Sequence, residues 1–213
     1  MKLKFAKGNL LKSVNIVMKA VPSKTTMPIL ECILIDASSS IIKFTSNDME
    51  LGIETIVDGT IEERGIIALD AKIFSEIVKR LPDGYVTIET NENLETIITC
   101  GKARFDIPGR SGEEFSYLPM IEKTDGIEIS QFTLKDVIRQ TIFSIAANEN
   151  NKIMTGELFE IKDNCLKVIS LDGHRISIRK IELTHSYENK KVIVPGKTLN
   201  EISKILSDRK SVV

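Results

Sequence analysis

The sequence predicts an α+β protein in which one domain, with helices on one face of antiparallel sheet, occurs twice. The main observation is that three segments of the first half reappear, in the same order, in the second half. The matched pairs are "LLKSV" at Leu10 with "TLKDV" at Thr133, "IKFTSND" at Ile42 with "LKVISLD" at Leu166, and "LDAKIFSEIVKRL" at Leu69 with "VPGKTLNEISKIL" at Val194. Because the offsets of 123, 124 and 125 residues barely drift, we predict a duplicated globular domain with boundaries at 1–122 and 123–213.

The residue pattern predicts the same order of helices and strands in each copy. Hydrophobic residues at helical spacing predict four helices, two in each copy: 9–21, 71–81, 133–146 and 197–207. Asn9 and Asp70 are candidate N-caps for the first two helices, and Thr133 with Asp136 resembles a capping box. Segments of alternating hydrophobic and polar residues predict antiparallel strands between the helices.

The two copies differ in how they end. The first closes with a predicted hairpin, "YVTIETNENLETIITCGKARFDI", that turns near Asn91 to Asn93. In the second copy, about 30 residues of this closing hairpin have no counterpart before Val213. We therefore expect the second domain to be a fragment or to be completed by something else.

Composition argues against several classes of protein. With 42% hydrophobic residues in 213 and no apolar run of 18 residues, the sequence predicts a folded chain without a membrane span. The N-terminal "MKLKFAKGNL" lacks the apolar core of a signal peptide, so we expect a cytoplasmic protein. The odd number and wide spacing of the cysteines predict buried free thiols at Cys32, Cys100 and Cys165. We expect no cofactor and no metal site.

Positive charge is concentrated in the predicted helices. They hold nine cations and three anions, a charge of +6, whereas the remainder carries −7 and the whole chain −1. An ordinary solvated face is the alternative explanation, because helices tolerate lysine well. Since equivalent helices in both copies keep the excess, we predict a surface for an anionic polymer, with duplex DNA as the leading candidate. The absence of Trp and of an aromatic stripe beside these cations argues against single-stranded nucleic acid.

Two short motifs resemble parts of enzyme sites. The tripeptide "GKT" at 196–198 ends like a phosphate-binding loop, but Lys191 stands where that loop needs its first glycine. Asp172 and His174 could be half of a catalytic triad, yet no nucleophile elbow is present. We predict no catalytic residue, and a turn stabilised by local hydrogen bonds is the structural explanation for this pair.

Several segments together resemble a known family. They are "PSKTTMPILECILI", "ARFDIPGR" followed by "LPMIEK", the "DGHR" turn, and "VIVPGKTLNEISKIL". In this order along the whole chain, they resemble the bacterial DNA polymerase III beta subunit, the replication sliding clamp. Members of that family contain three copies of one domain, and two chains close head-to-tail into a ring around duplex DNA. The resemblance implies that this chain holds the first domain and most of the second, and forms a homodimer in its full-length form.

The resemblance also implies functional residues. In the family, the turn matching "DGHR" lines a hydrophobic pocket that captures short linear peptides of polymerases, clamp-loader subunits and repair proteins. The matching positions are Met154, Leu171, Gly173, His174, Arg175 and Ile176, with Leu171 where threonine is common. The positions that contact DNA match Lys24, Lys72, Asn148, Lys152 and Ile153. The edge that meets the neighbouring subunit matches Phe105 and Ile107, although a strand with these residues also fits a plain core.

The prediction is therefore a non-enzymatic processivity factor that encircles duplex DNA and contacts its backbone without sequence preference. The main alternative is a truncated repeat protein that acts only as a peptide-binding module. A third hypothesis, a hydrolase that uses Asp172 and His174, requires a nucleophilic or acidic partner that the sequence does not display.

Overall fold

A computed structural model describes residues 1–115, 118, 126–147 and 151–206 of the chain. The chain divides into two compact units, Met1–Met120 and Ile121–Val213. The predicted boundary between residues 122 and 123 lies outside the described residues.

The described part of the first unit contains two α-helices and nine strands. The helices are α1 (Lys7–Val17), extended by a 3-10 turn at Met18–Ala20, and α2 (Ala71–Arg80). The strands are β1 (Lys2–Ala6), β2 (Cys32–Asp36), β3 (Ile42–Asn47), β4 (Gly52–Val57), β5 (Thr60–Glu63), β6 (Ile66–Asp70), β7 (Tyr85–Thr90), β8 (Glu95–Cys100) and β9 (Ala103–Arg110). Further 3-10 turns occur at Pro28–Glu31 and Gly112–Glu114.

All strand pairs of the first unit are antiparallel, in the order β4-β3-β2-β6-β9-β8-β7-β1-β5. Strand β9 joins the two halves of this sheet. Residues Ala103–Pro108 of β9 pair with β8, whereas only Gly109 and Arg110 pair with β6. One edge of β9 therefore lacks a partner strand along residues 103–108 within the described part of the first unit.

Both helices of the first unit pack on one hydrophobic core. Leu10, Val14 and Val17 of α1 and Phe74 and Val78 of α2 are fully buried in it. The aromatic rings of Phe5, Phe44 and Phe74 lie in the same cluster. The opposite face of β2 and β6 is also covered, by a smaller cluster that includes Phe115. Strand β2 is consequently buried on both faces.

The second unit repeats the helices with a simpler sheet. It contains α3 (Gln131–Thr141), 3-10 turns at Ile142–Ser144 and Lys152–Thr155, β10 (Gly156–Leu171), β11 (Ile176–Pro195) and α4 (Gly196–Ile205). The strands form one long antiparallel hairpin whose register shifts between Ile161 and Cys165. Residues from both helices and both strands share one core, including Val137, Ile138, Phe159, Leu166, Val168 and Leu199.

The predicted helices are present, but three details differ. Helix α1 begins at Lys7 with Ala6 as its N-cap, so Asn9 is not a cap, because the helix starts two residues earlier. Ser130 caps α3 by accepting a hydrogen bond from the Thr133 N–H at 3.0 Å, so the proposed capping box is wrong. The prediction for Asp70 is confirmed, since its carboxylate accepts the Ile73 N–H at 2.8 Å.

The third difference is in the repeat. Helix α3 begins and ends 124 residues after α1, so the offset of 123 inferred from "LLKSV" is wrong by one residue. The offset of 125 between α2 and α4 is confirmed. The hairpin turn near Asn91 to Asn93 is also confirmed, between β7 and β8. One residue has therefore been added between these landmarks of the second copy.

The cysteines are free thiols, as predicted, and Cys32 and Cys100 are buried. The prediction of burial is wrong for Cys165, which is partly exposed where the register of the β10–β11 hairpin shifts. Burial raises the pKa of the Cys32 thiol. In the described part of the chain no helix is both long and apolar enough to cross a membrane. The same residues contain no cluster of three or more potential metal ligands.

Candidate partner-docking turn and nucleic-acid interface

The turn between β10 and β11 is organised by Asp172. Its Oδ1 atom accepts hydrogen bonds from the N–H groups of His174 at 3.0 Å and Arg175 at 3.1 Å. Its Oδ2 atom accepts one from Nε of Arg175 at 2.8 Å. The His174 N–H, with help from Arg175, lowers the pKa of the Asp172 carboxyl. Gly173 has a φ of 85°, a left-handed conformation that favours glycine.

This geometry does not support a hydrolase. The Asp172 carboxylate is directed at two backbone N–H groups and a guanidinium group, whereas a triad needs it on the imidazole of His174. The structural explanation for Asp172, a turn stabilised by local hydrogen bonds, therefore holds.

Apolar side chains flank the turn. Leu171, the last residue of β10, is 37% exposed, and Ile176, the first of β11, is 59% exposed. His174 and Arg175 are exposed between them. The turn thus brings five of the six predicted pocket residues together. Met154 lies apart in sequence, half-buried in the 3-10 turn Lys152–Thr155, with its carbonyl accepting the Ala146 N–H at 2.9 Å.

The segment after α3 also meets this turn, which the sequence did not predict. The guanidinium carbon of Arg175 lies 5.9 Å from the ring centroid of Phe143. The hydroxyls of Ser144 and Ser177 are hydrogen-bonded at 2.6 Å, and Ser170 donates to the Thr141 carbonyl at 2.6 Å. These pairs are about 30 residues apart in sequence, so local patterns carry no signal for them.

The residues predicted to contact DNA lie in different elements. Lys24 is exposed in the loop between the 3-10 turns at Met18–Ala20 and Pro28–Glu31, and Lys72 is exposed in the first turn of α2. Lys152 and Ile153 are exposed in the 3-10 turn after Asn151, and Ile153 is 61% exposed. Asn148 lies outside the described residues.

The positive charge of the helices persists with their observed bounds. The four α-helices hold nine cations and three anions, again +6. Each of these anions pairs within its own helix: Glu76 with Lys79 and Arg80, Asp136 with Arg139, and Glu201 with Lys204. Within the part of the chain that the structure describes, Lys12 and Lys72 have no ion-pair partner.

One aromatic side chain does lie among the helical cations. Phe132, 45% exposed, lines a shallow hollow on α3 with Lys135, Asp136 and Arg139. A single ring does not form the series of stacking platforms that is typical of single-stranded nucleic-acid binding.

The two predicted interface residues have different environments. Ile107 is 9% exposed and belongs to the core of the first unit, whereas Phe105 is 37% exposed. Phe105 lines an apolar hollow of about 370 Å³ with residues of α2, namely Lys72, Ile73, Glu76, Ile77 and Arg80. This hollow is beside the part of β9 whose edge is free of a partner strand in the described unit.

A buried carboxyl group in the second unit was also missed. Glu157 is 0% exposed, and neither of its oxygens has a hydrogen-bond partner among the described residues. Burial raises the pKa of Glu157 to about 7. The Thr141 hydroxyl donates its proton to the Val137 carbonyl at 2.8 Å, so it cannot also donate to the carboxylate.

Comparison with known proteins identifies the family. A family model described as the DNA polymerase III beta subunit, N-terminal domain, matches residues 1–119, and one described as its central domain matches residues 128–213. The chain belongs to the DNA polymerase III beta subunit family. The resemblance seen in the sequence is thereby confirmed.

Individual relatives agree with this family. The beta sliding clamp of Bacillus subtilis is 40% identical over 100% of this chain, and that of Staphylococcus epidermidis is 38% identical over 93%. The crystal structure of the Bacillus subtilis DNA polymerase sliding clamp matches with a TM-score of 0.96 over 100% of this chain. A structure from Eubacterium rectale, 68% identical, matches with a TM-score of 0.97. The predicted α+β clamp fold is confirmed.

This chain is shorter than those relatives. It spans 59% of the Bacillus subtilis protein and 55% of the Staphylococcus epidermidis protein. It likewise covers 57% of the Eubacterium rectale structure and 58% of the Bacillus subtilis structure.

Proposed function

We propose that this chain forms part of a DNA sliding clamp, a ring that encircles duplex DNA and tethers a replicative polymerase. The observation that carries the proposal is the cationic excess of +6 on four helices that occupy matching places in two copies of one fold. Membership of the beta subunit family and the sliding clamps among the relatives support the same function. The role is cytoplasmic and topological, and needs no catalytic residue or cofactor.

Sliding requires contacts to phosphates and not to base edges. Lysine side chains such as Lys24, Lys72 and Lys152 provide mobile, sequence-independent positive charge, and each phosphate contact releases counterions. Salt therefore weakens the electrostatic binding. A closed ring is also held topologically, because it cannot leave the DNA without opening or reaching an end. Ile153 and Asn148 complete the DNA-facing set that we propose.

Partner proteins are proposed to dock at the Asp172–Arg175 turn. Leu171, Ile176 and Met154 supply apolar anchors for a short linear peptide from a polymerase or clamp-loader subunit. His174, Arg175 and the backbone at Gly173 supply polar groups that fix the direction of the peptide. The exposure of both flanking hydrophobic residues supports this role.

The subunit interface is proposed at β9 and α2. An unpaired strand edge beside a hollow lined by Phe105 and Ile73 offers both backbone hydrogen bonds and apolar area to a second chain. Ile107, which is 9% exposed, would support this edge mainly from the core. A homodimer that closes through such edges accounts for a ring.

Retention on DNA of different topology tests the proposal. In a version extended to the length of its relatives and loaded onto nicked circular DNA, we expect retention through a high-salt wash. Cutting the circle with a restriction enzyme should release the protein. Salt-sensitive binding that is the same on circular and linear DNA would contradict the ring. No retention on either DNA, with peptide binding intact, would support the alternative of a pure peptide-binding module.

A further inference from the structure

The Asp172–Arg175 turn, named the docking turn from here on, makes two contacts with the segment that follows α3. Neither contact has an equivalent in the first unit. These are the Arg175 guanidinium over the Phe143 ring at 5.9 Å and the Ser144–Ser177 hydroxyl pair at 2.6 Å. The positions that match Arg175 and Phe143 in the first unit, 124 residues earlier, are Leu51 and Lys19. Neither contact can form there.

A third contact is common to both units. Ser170 donates to the carbonyl of Thr141, and the matching Ser46 donates to the carbonyl of Val17. This hydrogen bond satisfies a carbonyl at the end of the helix in each copy and belongs to the shared fold. The Phe143 and Ser144 contacts are therefore additions to the second unit, where the docking turn lies.

Together, Phe143 and Asp172 limit where the Arg175 side chain can go. Asp172 accepts the Nε–H at 2.8 Å, and the centroid of the Phe143 ring, 57% exposed, lies 5.9 Å from the guanidinium carbon. An arginine side chain loses much rotamer freedom when a bound peptide immobilises it. Because Asp172 and Phe143 already restrict Arg175 in the free protein, its contact with a peptide costs less conformational entropy. Its remaining N–H groups stay free to donate to a carbonyl or carboxylate.

We infer that Phe143 is a positioning residue of the docking turn, which acts by holding the Arg175 guanidinium group in the orientation that meets a bound peptide. The inference rests on the proposed docking function. Phe143 would act through Arg175, so its loss should cost affinity only when Arg175 is present. It also predicts that aromatic, not merely apolar, character is needed at position 143, because the ring face attracts the cation.

A peptide titration on the extended version tests this inference. The probe is the tightest-binding member of a set of fluorescein-labelled, overlapping 12-residue segments of the organism's replicative polymerase, followed by fluorescence anisotropy. We expect Phe143→Leu to weaken binding about two- to fivefold, the size of an exposed cation–π contact, and Phe143→Tyr to retain it. Phe132→Leu, at another exposed Phe of the same unit, is the matched control and should have no effect.

The double variant decides whether Phe143 acts through Arg175. In an Arg175→Ala background, Phe143→Leu should cause no further loss of affinity. An equal loss in both backgrounds would overturn the positioning role, as would an unchanged affinity for Phe143→Leu alone.

An NMR measurement separates failure of this inference from failure of the docking proposal. In the free protein the Arg175 Nε–H resonance should carry a ring-current shift that Phe143→Leu abolishes and Phe132→Leu leaves in place. If the shift is absent, the inference fails whatever the peptide does. If the shift is present but no peptide binds, the docking proposal fails, and with it the role assigned to Phe143.

Discussion

The turn at Asp48–Leu51 in the first unit and the turn at Asp172–Arg175 in the second share one backbone. In each, an aspartate Oδ1 accepts two N–H groups, from Glu50 and Leu51 in the first and from the matching residues in the second. In each, the next residue has a left-handed φ, 75° for Met49 and 85° for Gly173. The scaffold was therefore preserved after duplication.

The surfaces that these turns present are different. In the first unit Leu51 is buried, and the side chain of Leu118 packs directly over Gly52, where a Cβ would collide with it. The positions matching Leu51 and Gly52 are Arg175 and Ile176, both exposed. The first turn keeps Met49 and Glu50 exposed but buries Leu51 and packs Leu118 against Gly52, whereas the second exposes the charge of Arg175 and the apolar side chain of Ile176 at the matching positions. The same backbone turn can therefore be either partly covered or open, depending on the residues at these two positions.

The cores below the turns also differ. Val17 and Ile33 are fully buried hydrophobic residues of the first unit, and the matching positions hold Thr141 and Glu157, equally buried. A carboxyl group without a partner replaces a hydrocarbon there. The following predictions test these differences, beginning with the largest effect.

Replacing Glu157 should change the pH dependence of stability most. With a pKa of about 7 in the folded unit and an ordinary value near 4.5 when unfolded, the carboxyl group is neutral in both states at low pH. As pH rises from about 4.5 to 7, the unfolded state ionises first and stability falls, by about 3 kcal/mol in total. Glu157→Ile should remove this loss, so the variant gains most at pH 8 and little at pH 4.5.

Urea unfolding at the two pH values measures this effect. Glu160→Gln is the matched control, because Glu160 is on the same strand, is partly exposed and pairs with Lys191 at 2.8 Å. That ion pair lowers the pKa of Glu160, so its removal should change the pH dependence in the opposite sense. An equal gain for Glu157→Ile at both pH values would show that Glu157 does not titrate with a raised pKa.

Removing the shared serine should affect both units alike. Ser46→Ala and Ser170→Ala each leave a buried helix carbonyl without its donor, which costs about 1 to 2 kcal/mol. The loss should appear in thermal unfolding of the unit that carries the change. A large loss of stability in one unit and none in the other would show that the two hydrogen bonds are not structurally equivalent.

Substitutions at the two residues with left-handed φ angles, Gly173 and Met49, should change stability in opposite directions. Gly173→Ala places a Cβ at a φ of 85° and should lower stability by about 1 kcal/mol, whereas Met49→Gly relieves the same strain and should raise it by a similar amount. Differential scanning calorimetry of the two variants is the measurement. If both variants lose stability, the side chain of Met49 contributes more than its backbone conformation costs.

Reversing the charge of a helical lysine should have a smaller, electrostatic effect on DNA binding. Lys72→Glu should weaken binding to duplex DNA and reduce the salt slope of the extended version by about one unit. Lys102→Glu, at an exposed lysine in the turn between β8 and β9, is the control and should leave the slope unchanged. Equal slopes for the two variants would mean that α2 does not face DNA.

The duplication and the helices were readable from sequence because they rest on local patterns. The apolar faces of α2 and α4 repeat at helical spacing, and "DGHR" predicts a turn from Asp and Gly alone. The helix offset failed by one residue, since Leu10 and Leu11 both fit the same pattern. The family resemblance supplied the site residues, because residue spacing alone does not identify them.

Long-range features could not be predicted. The contact of Arg175 with Phe143 joins residues 32 positions apart, and hydrophobic periodicity does not encode which side chains meet across such a distance. Glu157 shares a face of β10 with the buried Phe159 and Ile161, and only the packing shows that burial of this face extends as far as Glu157. Likewise, only the packing distinguishes Phe105 at a surface hollow from Ile107 in the core.

The comparison of the two turns is tested most directly by peptide affinity. With the same fluorescein-labelled polymerase segment, calorimetry on the His174→Ala/Arg175→Ala variant of the extended version should show binding weakened by about 1 to 2 kcal/mol. Its thermal stability should change by no more than about 0.5 kcal/mol, as is usual for exposed residues. Glu50→Ala, at the position that matches His174, should leave affinity unchanged. A loss of stability in the double variant, with full affinity in the folded fraction, would contradict the account and make Asp172–Arg175 a structural turn like Asp48–Leu51.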